Sequence, residues 1–412
     1  MKTQRVGVIL IGINGYGFRF LQETFRLETL GEVRLQAVID PAAAQNPEWA
    51  YLQSTGVPAF DDLKDCLDSG IEADLVVIVS PIAFHASQTC AALAAGMDVL
   101  CEKPICATMA EARRMMAARD ASGRYLEIGY QWSFSSPVQA LKTDILAGRL
   151  GSLRSLRTCV AWPRGEVYFQ RNNWAGRVRD PEGRPVFDSP VNNATAHFLH
   201  NMLFVAGISP TLSATPKIIE AECYRGNLIE NFDTACCRLE TVEGPEVLFF
   251  TTHCTKEKIG PQFSFSCDEA QIEYTAGGSI IARLSNGDQK DYGNPEGDPM
   301  EKFRYCLDRC RDPHKFPAVC GPEAAIAHTS CVQGFQATPV IALPASQLQY
   351  SNDKPETKLT FLPGLDAEIL EGYRKGLLFS EMKLPWSSPA TRVSLPVGPT
   401  ETIGAREASG LS

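Results

Sequence analysis

Gly12-Ile13-Asn14-Gly15-Tyr16-Gly17 stands between an apolar run, Val6 to Ile11, and an amphipathic stretch from Phe18 to about Leu30. A glycine cluster where a strand turns into a helix can hold a dinucleotide. The first glycine permits the tight turn, the second lets backbone approach the pyrophosphate, and the third lets helix pack on strand, with helix N-terminal amides facing the negative charge. Gly12 and Gly17 take the first and third places. Asn14 holds the middle one; asparagine tolerates positive φ better than other non-glycine residues, and Gly15 beside it can make the close approach instead. An ordinary glycine-rich turn is the competing reading. Asp40 follows a second apolar run, Val33 to Ile39. There a carboxylate accepts hydrogen bonds from ribose hydroxyls, unless it only caps a helix opened by Pro41. No arginine follows directly to neutralise a 2′-phosphate, which favours NAD over NADP.

Ser80-Pro81 and Glu102-Lys103-Pro104 each end a short apolar run, so in an open α/β sheet both should converge with the glycine turn on one crevice. A lysine at that rim can donate to a substrate oxygen. Glu102 is expected to orient its ammonium, and Pro104 to fix the turn, with a cis peptide as one way of doing so. Further on, Trp162, Arg164, Tyr168, Arg171, Asn172 and Trp174 lie in one aromatic and polar stretch. Aromatic faces stack on the C–H faces of sugar rings while Arg and Asn satisfy hydroxyls or a carboxylate, a combination suited to a carbohydrate or polyol. The bland alternative is a loop packing its aromatics on a sheet.

These groups need elements to hold them. The first third alternates apolar runs with helix-period segments: Leu75 to Val79, then Phe84 to Ala95; Val99 to Cys101, then a capping box, Thr108-Met109-Ala110-Glu111, opening another helix. Uniformly apolar strands separated by helices imply a doubly wound parallel sheet of Rossmann type, here assigned to residues 1–125. After a helix at Pro137 to Ala147, period-two runs at Ile218 to Tyr224, Thr234 to Glu240, Glu246 to Thr252 and Phe263 to Tyr274 predict an α+β domain with a large open, mainly antiparallel sheet over 126–340. Glu301 to Arg311 and Pro322 to Gln336 read as helices closing that domain. Residues 341–412 form an extension with one helix candidate, Leu365 to Glu381, and a frayed end at Gly404 to Gly410.

The chain has 412 residues, 44% hydrophobic, with 39 basic and 48 acidic side chains for a net charge of -9, enough to bury a real core and poorly suited to collecting phosphates. No nucleic-acid or membrane partner is expected, and no apolar run approaches the ~20 residues of a membrane helix. The 14 cysteines are scattered without a Cys-x-x-Cys pair, which reads as core packing in a reducing, cytoplasmic setting. Cys306 and Cys310, spaced i, i+4, are also assigned to core packing rather than to a redox or metal pair. An open sheet face in the second domain would seek a partner, so a homodimer or homotetramer is expected.

The glycine loop, Asp40, Ser80-Pro81 with His85, Glu102-Lys103-Pro104, Gly129-Tyr130-Gln131, Gly148-Arg149-Leu150-Gly151 and a histidine motif near residue 197 together resemble the Gfo/Idh/MocA oxidoreductase family, typified by glucose-fructose oxidoreductase and inositol dehydrogenase. The resemblance covers about residues 5–340, and Glu-Lys-Pro is its most specific element. It implies a nucleotide-binding domain followed by an open mixed sheet with substrate held between them. His85 and Gln131 join the cofactor set on this basis. It also implies that Lys103 and His197 flank the reacting hydroxyl, while the family's Asp, four residues before the histidine in a helix, is Asn193 here. Asn cannot ionise, so it can orient a group but cannot raise the histidine pKa by charge. His200 lies on nearly the same helical face and Asn192 just before the helix, as further substrate-side candidates; a hydrogen-bonded core histidine is the alternative for His200. A metal held by His197, His200 and Asp188 is the less favoured reading, because no ligand pattern completes the shell.

The expected activity is hydride transfer between a secondary alcohol of a sugar or polyol and nicotinamide, with His197 taking the hydroxyl proton and Lys103 stabilising the alkoxide. Two alternatives share these motifs: glycoside hydrolysis by transient NAD-dependent oxidation, and a non-catalytic NAD- or sugar-binding regulator.

Overall fold

The computed structural model describes residues 5–351 and 358–396. The N-terminal region holds β1 (Val6–Ile11), α1 (Gly17–Thr29), β2 (Val33–Ile39), α2 (Trp49–Thr55), β3 (Ala59–Phe60), α3 (Leu63–Asp68), β4 (Leu75–Ile78), α4 (Ile82–Ala94), β5 (Asp98–Cys101), α5 (Met109–Ser122) and β6 (Leu126–Ile128). The strands pair in parallel in the order β3-β2-β1-β4-β5-β6. Every residue of β1 and β4 is buried, as strands covered on both faces must be. Strand order reverses between β1 and β4, and the loops leaving their carboxyl ends diverge there to open a crevice. The capping box of α5 forms as predicted, Thr108 accepting from the Glu111 amide and the Glu111 carboxylate accepting from the Thr108 amide.

The second sheet follows α6 (Gln131–Phe134) and α7 (Ser136–Leu146). It comprises β7 (Leu153–Ala161) and, beyond α8 (Glu166–Gln170) and α9 (Ala196–Val205), the strands β8 (Pro216–Arg225), β9 (Thr234–Thr241), β10 (Glu246–Thr252), β11 (Ile259–Cys267), β12 (Ala270–Thr275), β13 (Ile280–Leu284) and β14 (Gln289–Gly293). Then come α10 (Glu301–Arg311), α11 (Pro322–Gln336), β15 (Val340–Ala342), β16 (Gln349–Tyr350), β17 (Thr360–Phe361), α12 (Leu365–Lys375) and β18 (Thr391–Ser394). The sheet runs β14-β13-β12-β11-β7-β10-β9-β8-β15, with β18 also on β8; β7–β10 and β8–β15 are parallel and the rest antiparallel. α9 and α11 pack on one of its faces, with Leu199, Phe204 and Phe335 in the same core as Leu156, Phe249 and Phe265.

The chain departs from its sequence reading at four places. β6 completes the first sheet, so the boundary at 125 falls just short of that domain's last strand. α10, read as closing the second domain, packs Phe303, Cys306 and Leu307 against Val8, Leu10 and Phe20 of the first. The run Phe263 to Tyr274 is two strands joined at Asp268-Glu269, because the antiparallel β11–β12 pairing needs a reversal there. α12 stops at Lys375, where Gly376 takes φ 70° as a left-handed cap. The segment Gly404 to Gly410 lies outside the described residues.

Candidate active site

Gly12 has φ 80°, and a Cβ there would stand 2.8 Å from the Val79 carbonyl oxygen; a Cβ on Gly17 would stand 1.9 Å from the Gly12 oxygen. Both glycines are therefore required by the close approach of β1, β4 and α1. Gly15, at φ 56°, is the left-handed residue of the turn, and a Cβ there would meet nothing within 4 Å. Its backbone faces open space beside Tyr16 and the start of α1, where Gly17 N and Arg19 N donate to Asn14 O (3.0 Å) and Tyr16 O (3.2 Å). Of the two residues the sequence offers for that geometry, Gly15 supplies it and Asn14 is not left-handed. The Asn14 side-chain amide instead donates to Asp40 Oδ2 (3.1 Å) and Ala42 O (3.0 Å). Asp40 Oδ2 also accepts from the Ile13 and Asn14 backbone amides at 2.9 and 3.3 Å, while Oδ1 accepts from Ala42 N at 2.9 Å. Asp40 thus organises the turn, and since a carboxylate has about four lone-pair sites, Oδ1 keeps capacity for a ribose hydroxyl. These residues fit a dinucleotide.

At the rim, Pro81 precedes α4, and the Ser80 hydroxyl donates to Gln88 Oε1 at 2.5 Å. His85 is buried, with Nδ1 2.8 Å from Pro104 O and Nε2 2.9 Å from Ser80 O. Burial lowers its pKa, and a neutral imidazole has one N–H, so it donates to one of these two carbonyls; packed between the two rim loops, His85 shapes the crevice rather than lining it. The Lys103–Pro104 peptide is cis. Gln131 opens α6, directly after the Gly129-Tyr130 segment that follows β6.

Glu102 does not orient Lys103, contrary to expectation. Its buried carboxylate forms an ion pair with the fully buried Lys302 of α10, whose ammonium also donates to Gly129 O (3.0 Å) and lies 3.5 Å from the Tyr16 hydroxyl. Burial opposes the Lys302 charge, Glu102 outweighs it, and the net shift of its pKa is upward. Lys103 Nζ donates instead to Asn193 O at 2.9 Å, with Asn193 Oδ1 at 3.4 Å. Burial, with Lys302 and Arg171 nearby, brings its pKa down to about 8 against the opposing pull of Glu102 and Asp188.

The Asn193 Nδ2 donates to Asp188 Oδ1 at 2.7 Å, and Asp188 Oδ2 accepts from Gly176 N at 2.6 Å and faces Arg171 at 3.8 Å. Because the carboxylate is acceptor-only, it fixes which way the Asn193 amide points and turns Oδ1 toward Lys103. A negative charge therefore does stand near the lysine, one side chain behind the position where the family resemblance places it. Burial raises the Asp188 pKa, with Arg171 and its hydrogen bonds pulling the other way. Asn193 lies in the turn before α9, not within that helix, so the pair with His197 does not share a helical face. His197 is in the first turn of α9, edge-on to Tyr130 at 5.9 Å between ring centroids, its Nδ1 buried without a hydrogen-bond partner. Burial first, then Lys103 and Lys302, push its pKa well below the ordinary histidine value.

Two substrate-side candidates point elsewhere. His200 is 1% exposed, stacked on Tyr130 at 3.7 Å with Nε2 3.0 Å from Ser133 Oγ, and is thus a core histidine. Asn192 is 1% exposed and donates to Val186 O (3.1 Å), bracing the turn before α9. The aromatic stretch does assemble. Arg171 stacks on Tyr168 at 3.8 Å and approaches Trp174 at 5.3 Å; Arg164 lies 4.8 Å over Tyr168 and 5.8 Å from Trp162. Asn172 is occupied in holding the turn, accepting from Trp174 N (3.1 Å) and Ala175 N (2.7 Å). Lys302, His253 near Tyr168, and His328 bonded to the Tyr130 hydroxyl (3.0 Å) were not singled out from sequence. Each reaches the site only through long-range packing, and no local spacing marks it.

A glycine turn, a carboxylate and a lysine-bearing rim at the reversal point of an open parallel sheet define a dinucleotide-binding class of domain. Residues 6–130 match the family described as "Oxidoreductase family, NAD-binding Rossmann fold" (GFO_IDH_MocA), and this domain belongs to the Gfo/Idh/MocA oxidoreductase family. Similar curated proteins include the rhizopine catabolism protein MocA of Rhizobium meliloti, 36% identical over 32% of this chain and 39% of its own length. Inositol 2-dehydrogenase of Leifsonia xyli is 33% identical over 36% and 43%. The chain thus matches about two fifths of these relatives' length. The fold extends further: the Bordetella pertussis WlbA dehydrogenase, solved with NADH and UDP-GlcNAcA, superimposes with a TM-score of 0.64 at 18% identity, covering 81% of this chain and 96% of that one. The aldose-aldose oxidoreductase of Caulobacter crescentus gives 0.62 at 18% identity over 81% and 97%.

Proposed function

We propose that the protein is an NAD-dependent oxidoreductase that transfers a hydride between a secondary alcohol of a sugar or polyol and nicotinamide. The observation that carries this reading is the position of Lys103. It leaves the fifth strand of a dinucleotide-type sheet and reaches across to Asn193, beside His197, at the junction with the second sheet. Gly12, Gly15, Gly17 and the first turn of α1 would take the pyrophosphate, and Asp40 the adenosine ribose. When bound, the nicotinamide supplies the hydride acceptor.

In alcohol oxidation the free amine of Lys103 takes the hydroxyl proton at Nζ; in reduction its ammonium returns it. Its pKa of about 8 leaves a useful fraction in each form near neutrality. His197, kept neutral by its surroundings, orients the hydroxyl through a hydrogen bond, which reverses the division of labour expected from sequence. Asn193 holds the lysine amine, and Asp188 holds Asn193. The absence of an arginine after Asp40 supports NAD over NADP. Titration with each nucleotide, followed by a panel of sugars and polyols monitored for reduced nicotinamide, tests the reading. NAD binding with substrate-dependent reduction is expected, and a protein without affinity for either nucleotide would falsify it.

A further inference from the structure

We propose that the substrate carries a carboxylate, making it an aldonate or uronate, and that Arg164 is the residue that binds it. The inference rests on the dehydrogenase reading and deepens it. Arg164 stands between the rings of Trp162 and Tyr168, yet among the described residues no carboxylate pairs with it. Its Nη1 donates to Pro163 O at 3.4 Å, it also hydrogen-bonds the Tyr168 side chain, and its buried Nε has no partner. A buried N–H in that state is costly to keep, because desolvation removes water's acceptor sites without replacing them.

Glu166, two residues beyond Arg164, and Asp188, which acts on Tyr168 together with Arg164, are both engaged. Glu166 pairs with Lys358 at 2.7 Å, and Asp188 is taken by Gly176 N, Asn193 and Arg171. Around Tyr168, Arg164 and Arg171 stand against one engaged carboxylate, Asp188, an excess of positive charge that a neutral polyol would not discharge. A chain of contacts runs from the lysine through Asn193, Asp188, Arg171 and Tyr168 to Arg164, and the proposal sets the carboxylate at the Arg164 end of a substrate whose reacting hydroxyl meets Lys103. A guanidinium held over aromatic rings can pair a planar carboxylate bidentately through its N–H groups. A phosphate ester is the competing anion; its tetrahedral oxygens suit backbone cradles and helix N-termini better than a single stacked arginine.

The test compares D-gluconate with D-glucose, D-galacturonate with D-galactose, and glucose 6-phosphate, at saturating NAD, for the wild type, Arg164→Gln and Arg164→Lys. The wild type is expected to favour an acid over its neutral partner by at least ~30-fold in kcat/KM, because a site built for a charged hydrogen-bond partner rejects the analogue lacking it. Arg164→Gln should collapse that ratio toward unity, chiefly through KM, and Arg164→Lys should keep part of it. In parallel, galacturonate and gluconate should raise the Tm of the NAD-loaded wild type but not of Arg164→Gln. Preference for neutral sugars or for the phosphate ester, or equal losses on acid and neutral substrates in Arg164→Gln, would overturn the carboxylate assignment. If nothing is oxidised, Arg164-dependent stabilisation by the acids still upholds the assignment and counts only against the dehydrogenase reading; no stabilisation and no turnover overturns it.

Discussion

A lysine buried at the rim of a sheet lowers its cost either by pairing with an acid or by giving up its proton. Lys103 has neutral acceptors, Asn193 O and Oδ1, in direct contact and its pKa pushed down to about 8, so the second route is open to it. The sign follows. With the free amine as base, the rate of alcohol oxidation should rise about tenfold per pH unit below about 8 and level off above it. The reverse reduction should hold below that point and fall above it. A pH series of kcat in both directions checks this, and Lys103→Arg, charged at every accessible pH, should abolish the profile with the rate. Asp40 makes a separate prediction. Its carboxylate holds both the glycine turn and the expected ribose site, so Asp40→Ala should weaken NAD binding roughly 10- to 100-fold, the scale of lost charge-assisted hydrogen bonds. NADP, which gains from losing the negative charge, should be weakened less. Nucleotide fluorescence titration reads both numbers. Gly12 and Gly17 were legible as turn glycines because each acts on backbone within one β-α-β unit; the bond between Asn14 and Asp40 was not, since the two meet only once β1 and β2 are side by side.

At the scale of elements, α10 is the piece that sets the electrostatics of the rim. Phe303, Cys306 and Leu307 anchor it on the first sheet, which drives Lys302 into contact with Glu102 and leaves Lys103 to Asn193. Breaking a buried pair strands the remaining charge at a cost of about 3–5 kcal/mol, so Lys302→Met should be destabilised by that order in urea unfolding. Adding Glu102→Gln should recover part of the loss. Among folded molecules of Lys302→Met, Lys103 loses a neighbouring positive charge, so the midpoint of the oxidation profile should move above about 8. A shift downward would contradict this account of the rim. The helix itself was visible in the chain as Glu301 to Arg311, and its true limits agree. Its placement was not, because an amphipathic face says that a helix packs, not which of two sheets it packs on.

For the whole molecule, the far face of the second sheet carries Tyr224, Leu248 and Phe250, and the chain's own Leu365, Ile369, Phe379 and Trp386 cover it. The neighbouring part of that face, on β11 to β13, presents Gln262, Ser264, Ser266, Gln271, Glu273 and Arg283. The expectation of a homodimer or homotetramer rested on an open face. Association through this one is expected only when the cover is removed. Truncation after Leu343 should lower Tm by more than about 10 °C and produce self-associated species in light scattering, whereas the full chain should show none that depends on this surface. Among the described residues no helix is long and apolar enough to cross a membrane.

What the sequence determined by itself were features settled within one or two turns of chain: the apolar strands, the capping box of α5, the glycine turn, and the residue types at the rim. Tertiary structure alone decided who partners whom. Glu102 meets Lys302, Asn193 leans on Asp188, His200 turns into the core, and the last described helix closes a sheet begun far upstream. The physical reason is that strand and helix formation reward local periodicity, whereas a buried charge takes whichever counter-charge packing delivers, and nothing in the residues beside it records that choice.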